Sequence, residues 1–214
     1  MKKLKLWGSL VLALLVVGGG LYGFWALDWR WRPHTITKHQ TEIAQLLERA
    51  GWVSPGAKGP KLYMVSFRSC PDCIRYETVE FPKLEKKQVD TRVILIARKD
   101  YNGVSKSTPA ERSTVAELWI NRNWNLLKEW QSVPPAAWTA PGVTPADSDT
   151  ARSAVVESAR GFVDQITPLL ADNGVDAQGF RYPTLVWWDQ KGRMRACACE
   201  RAETYRFVRK ELGA

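Results

Sequence analysis

The sequence predicts an α/β domain with a helical insertion, preceded by an N-terminal apolar helix. Three observations carry this. A short apolar run at residues 61–67, bounded by Gly59-Pro60, is followed by a helix-like stretch and a second apolar run at 91–97. That spacing fits a βαβ unit with a right-handed crossover. Residues 184–199 alternate as strand, turn and strand, and a helical stretch follows. Between these two blocks, residues 104–179 carry helical periodicity and no strand pattern.

Taken in chain order, Lys2, Lys3 and Lys5 precede an uncharged run over 6–27. A run of that length can cross a bilayer as a helix, for which ~20 residues suffice. Trp7 stands at one end, and Tyr22, Phe24, Trp25, Trp29 and Trp31 crowd the other, as an interfacial belt does. The lysines favour an N-terminus, residues 1–5, in the cytoplasm; Arg30 and Arg32 weaken that bias without reversing it. The alternative is a cleaved signal peptide with residues 6–17 as its apolar core and Gly18-Gly19-Gly20 as small residues. The aromatic-rich continuation beyond the glycines favours an anchor. Either way the remainder is exported, where disulfides persist.

Residues 28–59 read as a tether with one short helix, in which Ile43, Leu46 and Leu47 share a face and Gly51 is a stop. The domain proper is expected over 60–214. After the first strand, residues 74–80 continue as a helix that Pro82 breaks or kinks. Glu77, Glu80 and Glu85 read as its solvated face. Thr108, Pro109 and Glu111 form an N-cap, a first-turn proline and a capping box. That helix is expected to reach about residue 130 on the spacing of Val115, Leu118, Trp119, Leu126, Leu127 and Trp130. A Pro-rich loop follows, then a helix from about Asp149, bent near Gly161 and Pro168 and ending near Asn173-Gly174. Residues 184–188 and 193–199 form a hairpin about a turn at 189–192, and residues 203–212 a closing helix with Tyr205, Val208 and Leu212 inward.

The length of 214 residues and a hydrophobic content of 45% are enough for a sizeable core. The net charge of +9 is not gathered into a basic run interleaved with aromatics, so nucleic acid is not the expected partner. Nucleotide-binding, zinc-protease and serine-hydrolase motifs are absent from the sequence.

The chemistry concentrates in four cysteines. Cys70-Pro71-Asp72-Cys73 stands where the first strand turns into a helix. Two thiols at i and i+3 there can close a disulfide, and the helix N-terminus favours a Cys70 thiolate. Cys70 would then attack and Cys73 resolve. Pro71 suits the first turn. Asp72 tends to raise the thiol pKa values, whereas Arg68 and Arg75 lower them. A zinc half-site and a static disulfide are the competing readings. Cys197 and Cys199, at i and i+2 of the return strand, share a face and come back alongside residues 182–184. They are a candidate second redox pair, a local disulfide without duty, or half of a four-thiolate zinc or copper(I) site. His34 and His39, the two histidines of the chain, lie far from either pair in sequence.

With these features the sequence resembles the thioredoxin superfamily, in the strand at 63–67, the CPDC at a helix start, the strand at 92–97 and the 182–188 stretch with its hairpin and helix. The layout is most similar to the periplasmic DsbC/DsbG-like and DsbA-like branch, which carries a helical insertion before its cis-proline strand. The resemblance implies a thioredoxin fold over about residues 60–212. It matches Pro183 to the family's cis-proline opposite the redox pair and Tyr182 to the residue that shapes substrate contact. It further implies a thiol:disulfide oxidoreductase without a cofactor. The enzyme would be a reductase, isomerase or oxidase of exported proteins bearing thiols or disulfides, with a membrane electron-transfer partner. Combined with the 6–27 anchor, it places the protein in a bacterial inner membrane by a single pass, with the domain in the periplasm. The alternative is a thioredoxin-fold metal-binding module or chaperone using Cys70, Cys73, Cys197 and Cys199. Two departures stand out: Ser69 precedes the pair where an aromatic is common in the family, and residues 28–59 are too few for the dimerisation domain of the DsbC type.

Overall fold

The structure, a computed structural model, describes the backbone of residues 2–214 and the side chains from residue 15 onward. It divides into two units, residues 1–32 and 33–214. The first unit holds helix α1 (Lys2–Leu27) and a 3-10 turn at Trp29–Trp31. Arg32 pairs with Asp28 at 3.1 Å, and the Trp31 indole N–H donates to the Ala26 carbonyl at 2.8 Å. The side chains of the expected n-region 1–5, and those of the expected span 6–27 up to residue 14, lie outside the described residues. Among the described residues no helix is long and apolar enough to cross a membrane.

The second unit is built on a five-stranded sheet in the order β1-β5-β4-β2-β3. Its strands are β1 (His34–Thr35), β2 (Lys61–Ser66), β3 (Asp90–Leu95), β4 (Thr184–Trp188) and β5 (Met194–Ala198). β2 and β3 run parallel, joined by helix α3 (Pro71–Lys86); β4 and β5 form an antiparallel hairpin, and β4 pairs antiparallel with β2. A βαβ unit beside a β-hairpin, closed by helix α7 (Ala202–Leu212), is the expected thioredoxin fold. β2 carries its alternation inward on both faces. Leu62 and Met64 pack with α3 and α7, and Tyr63 and Val65 with α2 (Gln40–Arg49) and α6 (Thr150–Ala171). The hairpin turn is held by Asp189, whose carboxylate accepts from the Lys191 and Arg193 amides at 2.9 Å each, and Gly192 takes φ +73°.

Residues 33–59, expected as a tether, belong instead to the compact unit. β1 pairs with β5, Ile36 is buried, and Val53 bridges to Val93. Ile43 and Leu47 bury the expected face of the short helix α2. A two-residue strand is too short to give a pattern of its own.

The insertion holds α4 (Pro109–Asn121), α5 (Trp124–Ser132) and α6. The Thr108 hydroxyl accepts from the Glu111 amide at 3.1 Å, as the capping box requires. The single helix expected to residue 130 is two helices. Arg122 ends α4 at φ +50°, with its guanidinium donating to the Ala50 carbonyl at 3.1 Å and lying 4.1 Å over Trp52. Asn123 then caps α5 by accepting from the Leu126 amide at 3.1 Å. Conversely, α6 is unbroken through Gly161 and Pro168, because Val156, Ala159, Phe162, Ile166 and Leu170 bury one continuous stripe. α3 likewise runs through Pro82, held by buried Cys73, Tyr76, Glu80 and Leu84.

Candidate redox site

β2 delivers the chain to Cys70 through Phe67, Arg68 and Ser69. Cys70 is the N-cap of α3: its Sγ accepts from the Cys73 amide at 3.1 Å, and Pro71 opens the helix. The free amides and the dipole of the first turn therefore face the sulfur of Cys70, where a thiolate is stabilised. Cys70 and Cys73 are disulfide-bonded, with Cα atoms 5.2 Å apart, and are 3% and 1% exposed.

The peptide bond Tyr182-Pro183 is cis. It stands at the start of β4, and the Tyr182 carbonyl oxygen lies 3.7 Å from the Cys70 Sγ. In the bonded pair that sulfur has no proton to give, so this contact becomes a hydrogen bond only when Cys70 is reduced to the thiol. Pro183 is buried. The Tyr182 ring packs edge-on against Phe67 at 5.0 Å and Phe180 at 4.9 Å, and Arg98 lies 4.1 Å over Phe67. Burial pushes the Tyr182 hydroxyl pKa up. Below this loop, fully buried Asp176 accepts from the Arg181 Nε at 3.0 Å and faces the Thr184 hydroxyl at 2.8 Å. That hydroxyl also lies 2.6 Å from the Arg181 carbonyl, and its one proton serves one acceptor at a time.

The charged residues flanking the pair separate into two roles. Arg68 is buried and its guanidinium is spent on the insertion, donating to the Trp130, Gln131 and Val133 carbonyls at 3.2, 3.1 and 2.8 Å. Asp72 pairs with Arg75 at 2.6 Å, and Arg75 also reaches the Glu200 carbonyl and, at 3.4 Å, the Tyr205 hydroxyl.

The solvated face expected of α3 holds only at Glu85. Glu80 is 1% exposed, paired with Lys83 at 2.8 Å and with Arg209 of α7. Glu77 is half-buried, accepts from the Gln131 amide at 3.0 Å, and is pushed by burial up to about 7, against the pull of Arg68. Arg209 and Gln131 are distant in sequence, so helical periodicity on α3 alone did not reveal these contacts. Phe67, Arg98, Asp176, Phe180 and Glu200 were also not singled out by sequence.

Cys197 lies opposite Leu185 in the β4–β5 hairpin. Cys199 lies one residue past β5, and its amide donates to the Pro183 carbonyl at 2.8 Å. The two are disulfide-bonded, with Cα atoms 5.3 Å apart. Extended strand separates such positions by about 6.6 Å, so the chain curls where β5 ends. All four cysteines belong to one buried cluster with Tyr76, Leu185 and Tyr205. They are two bonded pairs, however. Among the described residues no three His, Cys, Asp or Glu side chains gather as a metal site. A cleft of about 480 Å³ adjoins Ser69, bounded by Lys106, Thr108, Glu111 and Pro135 of the insertion.

No protein-family profile matches the sequence, and no curated protein matches it. Among solved structures, the chain is similar to a periplasmic thioredoxin-like protein from Salmonella enterica serovar Typhimurium. The two are 14% identical over 83% of this chain and 100% of the other, with a TM-score of 0.45. It is also similar to the catalytic domain of Proteus mirabilis ScsC, at 12% identity, 81% and 97% coverage and a TM-score of 0.48. A third is the thiol-disulfide exchange protein alpha-DsbA2 from Wolbachia pipientis, at 14% identity, 81% and 91% coverage and a TM-score of 0.41.

Proposed function

We propose that the protein is a thiol:disulfide oxidoreductase of exported proteins, with Cys70 and Cys73 as its exchanging pair. The observation that carries this reading is Cys70 at the N-terminus of α3, with its sulfur against the carbonyl that enters the cis-proline bond. When the pair is reduced, the Cys70 thiolate attacks a substrate disulfide; the S–S bond breaks, one substrate sulfur leaves as thiolate, and a mixed disulfide forms. The Cys73 thiolate then attacks the Cys70 Sγ, frees the second substrate sulfur and restores the Cys70–Cys73 bond. Run backwards, the same steps oxidise a substrate dithiol. Pro183 and Tyr182 present the backbone edge against which the substrate chain lies, Pro71 shapes the first turn, Asp72 adjusts the site from beside the pair, and Arg68 braces the approach to Cys70 against the insertion. The substrate segment extends into the cleft beside Ser69.

Anchoring rests on the sequence alone. The uncharged run 6–27 behind three lysines is read as a single-pass inner-membrane anchor with the domain in the periplasm. There a membrane electron-transfer partner would reset the pair.

The test is a redox titration of the full chain in glutathione buffers, with each cysteine read by alkylation and mass spectrometry. Reversible titration of Cys70–Cys73 at roughly −120 to −270 mV is expected. A pair that stays bonded across that whole range is a structural staple, and the reading fails.

A further inference from the structure

Cys197 and Cys199 take no part in the attack described above, yet they adjoin it from two directions. The two residues joined by the cis bond supply successive carbonyls: that of Tyr182 faces the Cys70 Sγ, and that of Pro183 accepts from the Cys199 amide. Across the other side, Arg75 joins the Asp72 carboxylate, inside the CPDC turn, to the Glu200 carbonyl, one residue past Cys199. Arg181 ties Glu200 back to the loop before Pro183 at 3.3 Å. Both disulfides share one apolar cluster and are at most 4% exposed. A disulfide with no function beyond a three-residue curl closes almost no chain loop and so constrains the unfolded state little.

We propose that Cys197–Cys199 is a second redox couple that takes the electron pair from reduced Cys70–Cys73, so that one chain stores two disulfide equivalents. This rests on Cys70–Cys73 being the exchanging pair. A substrate dithiol first reduces Cys70–Cys73 and becomes a disulfide itself. The Cys70 thiolate then attacks one sulfur of Cys197–Cys199; that bond breaks, and the other sulfur leaves as thiolate and takes up a proton. The Cys73 thiolate attacks the Cys70 Sγ, which breaks the mixed disulfide, restores Cys70–Cys73 and releases the second sulfur as a thiol. Two electrons and two protons pass from the first pair to the second. Transfer proceeds through a shift of residues 197–200, which Arg75 holds at the Glu200 carbonyl and the Pro183 carbonyl holds at the Cys199 amide.

The experiment titrates the full chain with limiting dithiothreitol, quenches with acid, alkylates, and maps cysteine peptides by mass spectrometry. In the wild type both pairs become reduced. In the C70S/C73S double variant, reduction of Cys197–Cys199 slows at least tenfold, since buried sulfurs lose their internal donor. The C73S variant accumulates a disulfide joining Cys70 to Cys197 or Cys199. Absence of either result overturns the relay; if the double variant does not fold by circular dichroism, the C73S cross-link alone decides. Reduction confined to Cys70–Cys73 refutes the relay and leaves the exchange reading intact. Failure to reduce Cys70–Cys73 in the wild type refutes both.

Discussion

Replacing Arg68 by methionine keeps the length of the side chain and removes the guanidinium. Three carbonyls at the end of α5 then lose a charged donor, those of Trp130, Gln131 and Val133. At ~1.5 kcal/mol for each hydrogen bond to a charged group, the loss is about 4.5 kcal/mol. Relief from burying a cation returns ~1 to 2 kcal/mol, so about 3 kcal/mol of stability should disappear. For a unit of this size that lowers Tm by roughly 6 to 12 °C. Lysine offers one point charge in place of a fork, so Arg68→Lys should lose about half as much. Urea unfolding followed by tryptophan fluorescence reads both variants, and alkylation of the reduced chain reports whether Cys70 becomes more accessible. If Arg68→Met changes the unfolding free energy by less than ~0.5 kcal/mol while the Cys70 pKa rises, the residue acts on the thiolate and not as a strut, and this argument is wrong.

Glu77 gives the domain a pH dependence of defined sign. Its folded pKa of about 7 exceeds the usual 4.5, so the folded chain holds a proton that the unfolded chain has released. Stability should therefore fall as pH rises from about 4.5 to 7 and level off above; Glu77→Gln should flatten this fall, as urea titrations at pH 5 and pH 8 will show. Asp176→Ala removes a fully buried acceptor and strands the Arg181 contact and a Thr184 hydroxyl partner beneath the cis-proline. A loss of ~2 to 4 kcal/mol is expected, with Asp176→Asn recovering part of it. Equal stability of the alanine and wild-type chains would remove Asp176 from its supporting role.

The sheet was legible because β2 and β3 are short apolar runs with no competing pattern, and the hairpin because Asp189 and Gly192 are turn residues. Thr108 marked the start of α4 by the side-chain chemistry of a cap, and the helix expected from about Asp149 is α6, which Asp149 caps. The break between α4 and α5 was hidden since Leu126 and Leu127 continue the apolar spacing of Leu118 and Trp119. Nothing local announces that Arg122 takes a left-handed turn to reach Ala50 and Trp52. Pro82, Gly161 and Pro168 misled in the other direction. Local propensity disfavours them inside helices, and burial of a long stripe outweighs that cost. At the site, the cysteines and Pro183 were readable, the latter through resemblance. The partners that fix them were not: Arg209 meets Glu80, Gln131 meets Glu77 and Arg75 meets Glu200 only after folding.

Arg195 gives the N-terminal junction a mechanical character. Its guanidinium grips the Pro33 carbonyl at 2.8 Å and the Thr35 hydroxyl, while Glu211 of α7 holds it from behind at 2.8 Å. β1 adds only a two-residue pairing to this clasp. Tension applied to the chain ahead of Pro33 is thus borne by β5, through the Arg195 side chain and the short β1 pairing. β5 is also the strand that runs into Cys197 and Cys199, so a pull on the N-terminal segment strains the very segment whose sulfurs would have to move. A force probe attached at the N-terminus, with reduction of the second pair as its readout, would couple a mechanical input to a chemical event over a few residues of β5.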